Sequence, residues 1–305
     1  MKTILINNIY LMKYSKKILL LFSLVTFQSC TNLISYQMTK PMKTATMKSI
    51  KLNDLELYYY TLGNKSNPPV VFLHGILAFT EVYKKFLISL SKDYFIIGID
   101  LPGHGRSSSI SYPYDINDIS RDVIKLTERL DLKQFYMIGH SMGGFITLSI
   151  CKEYPNKIIK AVSIASLYNA DGIKFGNKKY DFLSKDGFRR NTVSHKNYIL
   201  KLFNHAYLRI NEEEKFSKTK DIIEYYKKDL YPQFSEQQIH SIETPIMIVL
   251  AEKDRLIKQE HSKKMAKLLK NGLLLSVPNA NHSSVLGKRK NINFLTEKIN
   301  QFFEL

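Results

Sequence analysis

Read as apolar and polar positions, the chain follows one grammar over most of its length and a different one in between. Residues 70–73, 94–99, 135–138 and 158–164 are short runs apolar at nearly every position. Between them lie stretches of helical period. Ile116, Ile119, Val123, Leu126 and Leu130 recur at three- to four-residue intervals, which makes one face of a helix apolar, with Asp115 or Asn117 placed to open it. The pattern over 145–154 predicts another helix, and Thr80 is expected to cap one that runs to about Leu90. A run apolar at every position, rather than at every second one, suits a strand buried on both faces. Such strands alternating with amphipathic helices predict an α/β fold with a mostly parallel central sheet and helices on both faces. Ahead of them, residues 48–62 alternate around Asn53-Asp54, the pattern of an antiparallel hairpin.

The alternation stops near Leu167 and resumes at Thr244-Pro245. There follow a strand over 246–251, a helix over 260–270, a strand over 273–277 and a last helix over 291–303. The expected organisation is a core over 48–166 and 244–305, interrupted by a helical cap over 167–243. Ligands of parallel α/β sheets bind beyond the carboxyl ends of the strands, the edge on which such an insertion sits.

The N-terminus reads as an address. Lys13, Lys16 and Lys17 precede an apolar run over 18–27, too short to span a bilayer and of the length of a secretory core. It ends in Phe27-Gln28-Ser29-Cys30, which resembles a bacterial lipoprotein signal, with cleavage before a cysteine that then carries lipid. The expectation is a signal over 1–29, lipidation of Cys30, a polar tether over 30–47, and export to the cell envelope; a secreted or periplasmic protein is the alternative. The net charge of +18 fits an anionic surface, and a basic body beside a lipid anchor would be held to a membrane by two signals. No nucleic-acid motif accompanies the charge, so nucleic acid is not an expected partner. The second cysteine, Cys151, falls on a predicted helix and reads as a buried structural thiol.

The candidate chemistry lies at the strand ends. Gly139-His140-Ser141-Met142-Gly143 stands between an apolar run and a helix. A serine on a sharp strand-to-helix turn is pushed into the open, provided that the flanking positions are small. The backbone N–H of Met142, at the helix start, is placed to face a developing oxyanion. A serine hydroxyl is a poor nucleophile unless a base accepts its proton. His282, in Pro278-Asn279-Ala280-Asn281-His282, is the expected base, and Asp254 after the strand over 246–251 is the expected orienting acid. Asp100 is expected to tie down its own turn and Glu252 to point away. His74, His104 and His140 belong to turn motifs; His195, His205, His240 and His261 carry none.

Taken together, His74-Gly75, Asp100-Leu101-Pro102-Gly103-His104-Gly105-Arg106-Ser107, the Gly139–Gly144 turn, Asp254 and Asn281-His282 resemble the α/β-hydrolase superfamily over roughly residues 48–305, in the family's order of nucleophile, acid, histidine. The resemblance implies that the residue after His74-Gly75, Ile76, supplies a second oxyanion-binding N–H beside Met142, and it makes Asp171, after the preceding sheet strand, the runner-up for the acid, since some relatives place it there. It also implies a serine hydrolase acting on a carboxylic ester through an acyl-enzyme at Ser141, on a small ester or lipid-like substrate such as an acylglycerol or lysophospholipid. Carbon–carbon bond hydrolysis, amide or thioester cleavage, acyl transfer and non-hydrolytic ligand binding stay open on the same fold. No metal-ligand spacing or cofactor motif occurs, so none is expected. His140 and Tyr168 are candidate pocket residues. Tyr168 is the first of a group of aromatics, with Phe175, Tyr180, Phe182, Phe188, Tyr198, Phe203 and Tyr207, any of which would suit an acyl pocket or simply pack the insertion. Nine Lys or Arg against two acids between Gly172 and Ile210 make that half of the insertion basic.

Overall fold

A computed structural model describes residues 32–109, 115–174, 198–210, 212 and 233–304. The signal-like segment, Cys30 and most of the insertion, including Phe175, Tyr180, Phe182, Phe188 and His195, lie outside the described residues. The sheet has eight strands: β1 (Thr46–Leu52), β2 (Leu55–Leu62), β3 (Pro69–Leu73), β4 (Phe95–Ile99), β5 (Phe135–His140), β6 (Ile158–Ile164), β7 (Ile246–Ala251) and β8 (Gly272–Val277). Their order across the sheet is β1-β2-β4-β3-β5-β6-β7-β8. The β1–β2 hairpin is antiparallel and β2 pairs antiparallel with β4; every later pairing is parallel.

The apolar runs explain the middle of this order. Val70, Val71, Phe72 and Leu73 on β3, and Phe135, Met137 and Ile138 on β5, have no exposed surface. Each such side chain contributes about 1.5–3 kcal/mol by leaving water. Two apolar layers result, one on each face of the sheet. Helix α3 (Ile116–Arg129) presents Ile116, Ile119, Val123 and Leu126 to one of them. Asp115 caps it in a reciprocal box: its side chain accepts from the Asn117 and Asp118 N–H groups while Asp118 accepts from the Asp115 N–H. Helix α4 (Met142–Glu153) is buried along most of its length, and Cys151 within it is a buried free thiol, pushed up to about 12 by burial. On the other face lie α2 (Lys84–Leu90) and the C-terminal α8 (Arg289–Glu304), in contact with each other.

The insertion leaves the sheet after β6 and returns at β7, which pairs directly with β6. Its described parts include α5 (Tyr198–Arg209) and the short α6 (Glu236–His240); α7 (Gln259–Leu268) follows β7. Among the described residues no helix is long and apolar enough to cross a membrane.

Two expectations need correction. Thr80 is not the cap: it opens a 3-10 turn, Thr80–Tyr83, whose cap position is Phe79. The Asp100 carboxylate, reaching from the end of β4, accepts the Thr80 N–H at 2.8 Å instead. The polar stretch read as a tether is helical over 32–39 (α1), where no period is visible. Contacts distant in sequence hold it. Lys84 donates to the Gln37 and Lys40 carbonyls, Arg209 on α5 donates to Ser35 Oγ at 3.1 Å, and Met42 joins the core. The strand expected over 273–277 is β8, at the edge of the sheet, so its apolar run is only partly covered, and Leu273 and Leu274 stay exposed.

Candidate active site

The site is built on the turn between β5 and α4. Ser141 has φ +53° and ψ −114°, a region that non-glycine residues avoid at a strain of about 1–3 kcal/mol. The surroundings hold it there. Its N–H donates to the Ile164 carbonyl on β6 at 2.9 Å, and the Ser166 hydroxyl donates to the Ser141 carbonyl at 2.8 Å. The small neighbours are required by contact: a Cβ on Gly139 would stand 2.1 Å from the Gly143 carbonyl oxygen, and one on Gly143 would stand 2.2 Å from that of Leu73.

Two loops bring the partners to this turn. His282, after β8, places Nε2 3.0 Å from Ser141 Oγ and Nδ1 2.9 Å from Asp254 Oδ2. Asp254, after β7, is almost fully buried. Its other oxygen accepts the N–H groups of Leu256 at 2.8 Å and Ile257 at 3.1 Å. Burial alone would raise this carboxyl. The hydrogen bond and charge of His282, together with the two amide donors, outweigh it and hold Asp254 below the usual carboxylate value. An ionised carboxylate only accepts, so the proton of His282 sits on Nδ1. Nε2 is then left to accept the serine O–H. Among the described residues the N–H groups of Ile76 and Met142 have no hydrogen-bond partner in the protein.

Ser141, His140 and His282 line a cavity of about 150 Å³ whose walls are otherwise mainly apolar, including Ile76, Leu77, Phe145, Leu167, Phe203 and Ile257. Tyr168 is not among its walls, which corrects the expectation for that residue. It is buried beside the cavity, its ring stacked on His261 at 4.3 Å, and its N–H donates to His261 Nε2. The chain turns at β6's end so that Leu167, one residue earlier, faces the opening. Asp171 is exposed; the carboxylate at His282 is that of Asp254. Glu252 turns outward, accepting from Ser276 Oγ and the Asn279 N–H. Asp100 binds its own turn through the Arg106 N–H group and, across the fold, holds the Thr80 N–H group on the segment after β3. The apolar walls at Leu256 and Ile257 were not anticipated. The sequence does hold a signal for them, two apolar residues just past Asp254 where a loop would otherwise be polar.

Three histidines are walled in beside this site. His74 donates from Nδ1 to the Gly75 carbonyl and accepts the Leu101 N–H on Nε2; His104 donates to the Pro102 carbonyl; His140 lies between Tyr83 and His282. Burial pushes His74 down to about 4, and His104 and His140 down to about 3. Native values below the unfolded one mean that the unfolded chain binds these protons first. Stability is therefore intact above about pH 6.5 and falls as the pH drops toward 4, by about 1.4 kcal/mol per pH unit for each histidine. The urea midpoint is expected to fall steeply between pH 6 and pH 4.5. A flat midpoint across that interval would show the three rings to be solvated.

A model of the alpha/beta hydrolase fold matches residues 68–288, most of the chain. The protein belongs to the alpha/beta hydrolases. It is an enzyme of that family. Among curated relatives, an uncharacterized hydrolase, YugF, of Bacillus subtilis is 28% identical over 252 residues, covering 77% of this chain and 91% of its own. Among solved structures, a putative lipase from Acinetobacter baumannii superposes with a TM-score of 0.70 at 21% identity, over 90% of this chain and 95% of its own. A membrane phospholipase A described as a bacterial virulence factor superposes at 0.69 and 18% identity, over 100% of this chain and 98% of its own. At those identities the likeness is one of fold.

Proposed function

We propose that this hydrolase cleaves carboxylic esters with an apolar acyl group, through an acyl-enzyme on Ser141. The observation that carries this reading is the continuous hydrogen-bonded path Ser141–His282–Asp254 on the wall of an apolar cavity. His282 Nε2 takes the serine proton as Oγ attacks the carbonyl carbon, then returns it to the leaving alcohol. Asp254 holds the imidazole in the required tautomer and stabilises the imidazolium. The carbonyl oxygen, negative in the tetrahedral intermediate, is received by the N–H groups of Ile76 and Met142, the latter at the positive end of α4. Water then repeats the sequence to release the acid.

The apolar walls favour an acyl chain over an acetyl group, and the two structural relatives named for lipase and phospholipase activity fit a lipid-like ester. The segment 167–243 would act as a cap over the cavity. The signal-like residues 1–29, a lipid on Cys30 and the +18 charge would place the enzyme on an anionic membrane of the cell envelope.

The test is hydrolysis of p-nitrophenyl esters from acetate to palmitate, with a fluorophosphonate as a serine label. Butyrate or longer chains are expected to turn over faster than acetate, with the label on Ser141. Labelling of Ser141 without ester turnover would point to an amide, thioester or carbon–carbon bond. Neither turnover nor labelling in folded protein would make the chain a ligand-binding member of the family.

A further inference from the structure

Behind the proposed catalytic side chains runs a second hydrogen-bonded path whose members come from three separate parts of the chain. The Gly75 N–H donates to Tyr83 Oη at 3.1 Å, Tyr83 Oη lies 3.0 Å from His140 Nδ1, and His140 Nε2 lies 2.9 Å from the His282 carbonyl oxygen. Gly75, Tyr83 and His140 are all buried. The direction of every bond is fixed by the two ends. A carbonyl only accepts, so His140 Nε2 carries the hydrogen. The ring is neutral, since burial first and then His282 depress it to about 3, so Nδ1 accepts. Tyr83 must therefore donate to Nδ1, and its lone pairs remain for the Gly75 N–H. A buried chain satisfied in one sense only behaves as a strut.

What the strut joins gives it significance. At one end Gly75 precedes Ile76, whose N–H is the proposed oxyanion donor on the β3 loop. At the other end is the main chain of His282, the proposed base. Between them, His140 is the residue before Ser141. The space is already full: a Cβ on Gly75 would stand 3.2 Å from His140 Nδ1, 3.2 Å from Tyr83 Oη and 3.3 Å from Ser141 Cβ.

We infer that Tyr83 and His140 are positioning residues, which set the distance between the oxyanion donor on the Gly75-Ile76 loop and the base on the His282 loop. This rests on the hydrolase reading of Ser141, His282 and Ile76. Neither side chain need touch the reacting atoms; each acts through a backbone group of a residue that does.

Tyr83→Phe leaves the Gly75 N–H without its acceptor and His140 without its donor. His140→Leu removes the whole link. His140→Gln keeps both ends, because the amide oxygen replaces Nδ1 as acceptor and the amide nitrogen replaces Nε2 as donor. The expected result is a fall in kcat of about 10–100-fold in Tyr83→Phe and in His140→Leu, from displacement of prepositioned groups, and larger than any change in KM that follows from both side chains also lining the cavity. His140→Gln is expected to recover most of that loss, and the Tyr83→Phe/His140→Leu double variant to be no slower than the slower single. Folded variants that keep kcat and lose only thermal stability, or single effects that multiply in the double, would overturn the inference.

Nitrogen NMR separates this outcome from failure of the hydrolase reading. With the strut in place, the His140 ring is the Nε2–H tautomer and the Gly75 amide signal moves in Tyr83→Phe. Unmoved signals beside normal Ser141-dependent hydrolysis would overturn the strut alone. Hydrolysis that survives Ser141→Ala would overturn the site reading, and with it any catalytic consequence of the strut.

Discussion

Ser141→Ala is expected to lower kcat on a p-nitrophenyl ester by about 10⁴–10⁶-fold and to abolish fluorophosphonate labelling. The proposed nucleophile, Oγ, is the only heavy atom removed. Alanine takes the same strained backbone at φ +53°, and the bonds that hold that backbone, from the Ser141 N–H to Ile164 and from Ser166 to the Ser141 carbonyl, involve no side-chain atom of Ser141. The loss to stability is the single bond between Oγ and His282, about 1 kcal/mol, or about 2–4 °C in melting temperature. Binding of an apolar ester should persist, because the walls at Leu77, Phe145, Leu167 and Ile257 are untouched. Whatever activity remains would come from the proposed oxyanion donors and the cavity alone. A variant that keeps a tenth of the wild-type rate would remove Ser141 from the chemistry.

Much of this geometry was legible in the chain because it rests on contacts near in sequence. The turn from β5 to α4 is one: Gly139, Ser141 and Gly143 are all needed within five residues, and each glycine is forced by a carbonyl about 2 Å from where its Cβ would be. The buried strands are another, since apolar runs without alternation have few other stable environments. What stayed hidden depends on groups that meet only after folding. Asp100 was recognisable as a turn residue. That it holds the N–H of Thr80, twenty positions earlier, was not. The helix over 32–39 has no period to betray it, because Lys84 and Arg209 hold it rather than an apolar face of its own. Tyr168 illustrates the same limit at the site. Aromaticity and nearness to β6 pointed to the cavity, but one residue of register turned its ring toward His261 and left Leu167 at the opening.

Asp254→Asn should be the next most damaging change, lowering kcat by about 10⁴-fold with little change in the fold. Asp254 uses its two oxygens for different tasks. Oδ1 accepts the Leu256 and Ile257 amides, and Oδ2 faces His282 Nδ1 at 2.9 Å. Asparagine keeps one oxygen, and the two amides select it for the Oδ1 position. Its NH2 group must then face His282. An NH2 donates, so Nδ1 becomes the acceptor and the imidazole proton moves to Nε2, where it points at Ser141 Oγ. A ring in that tautomer cannot take the serine proton, although every heavy atom stays in place. The same substitution removes the negative charge that stabilises the imidazolium. In the native enzyme that charge is present throughout the neutral range, since Asp254 is held below the usual carboxylate value. Labelling by a fluorophosphonate should slow in parallel with kcat, and KM should move little because Asp254 is absent from the cavity walls. Rates within tenfold of wild type would mean that the acid acts from elsewhere. Asp171, exposed on the loop after β6, would then be the carboxylate to replace.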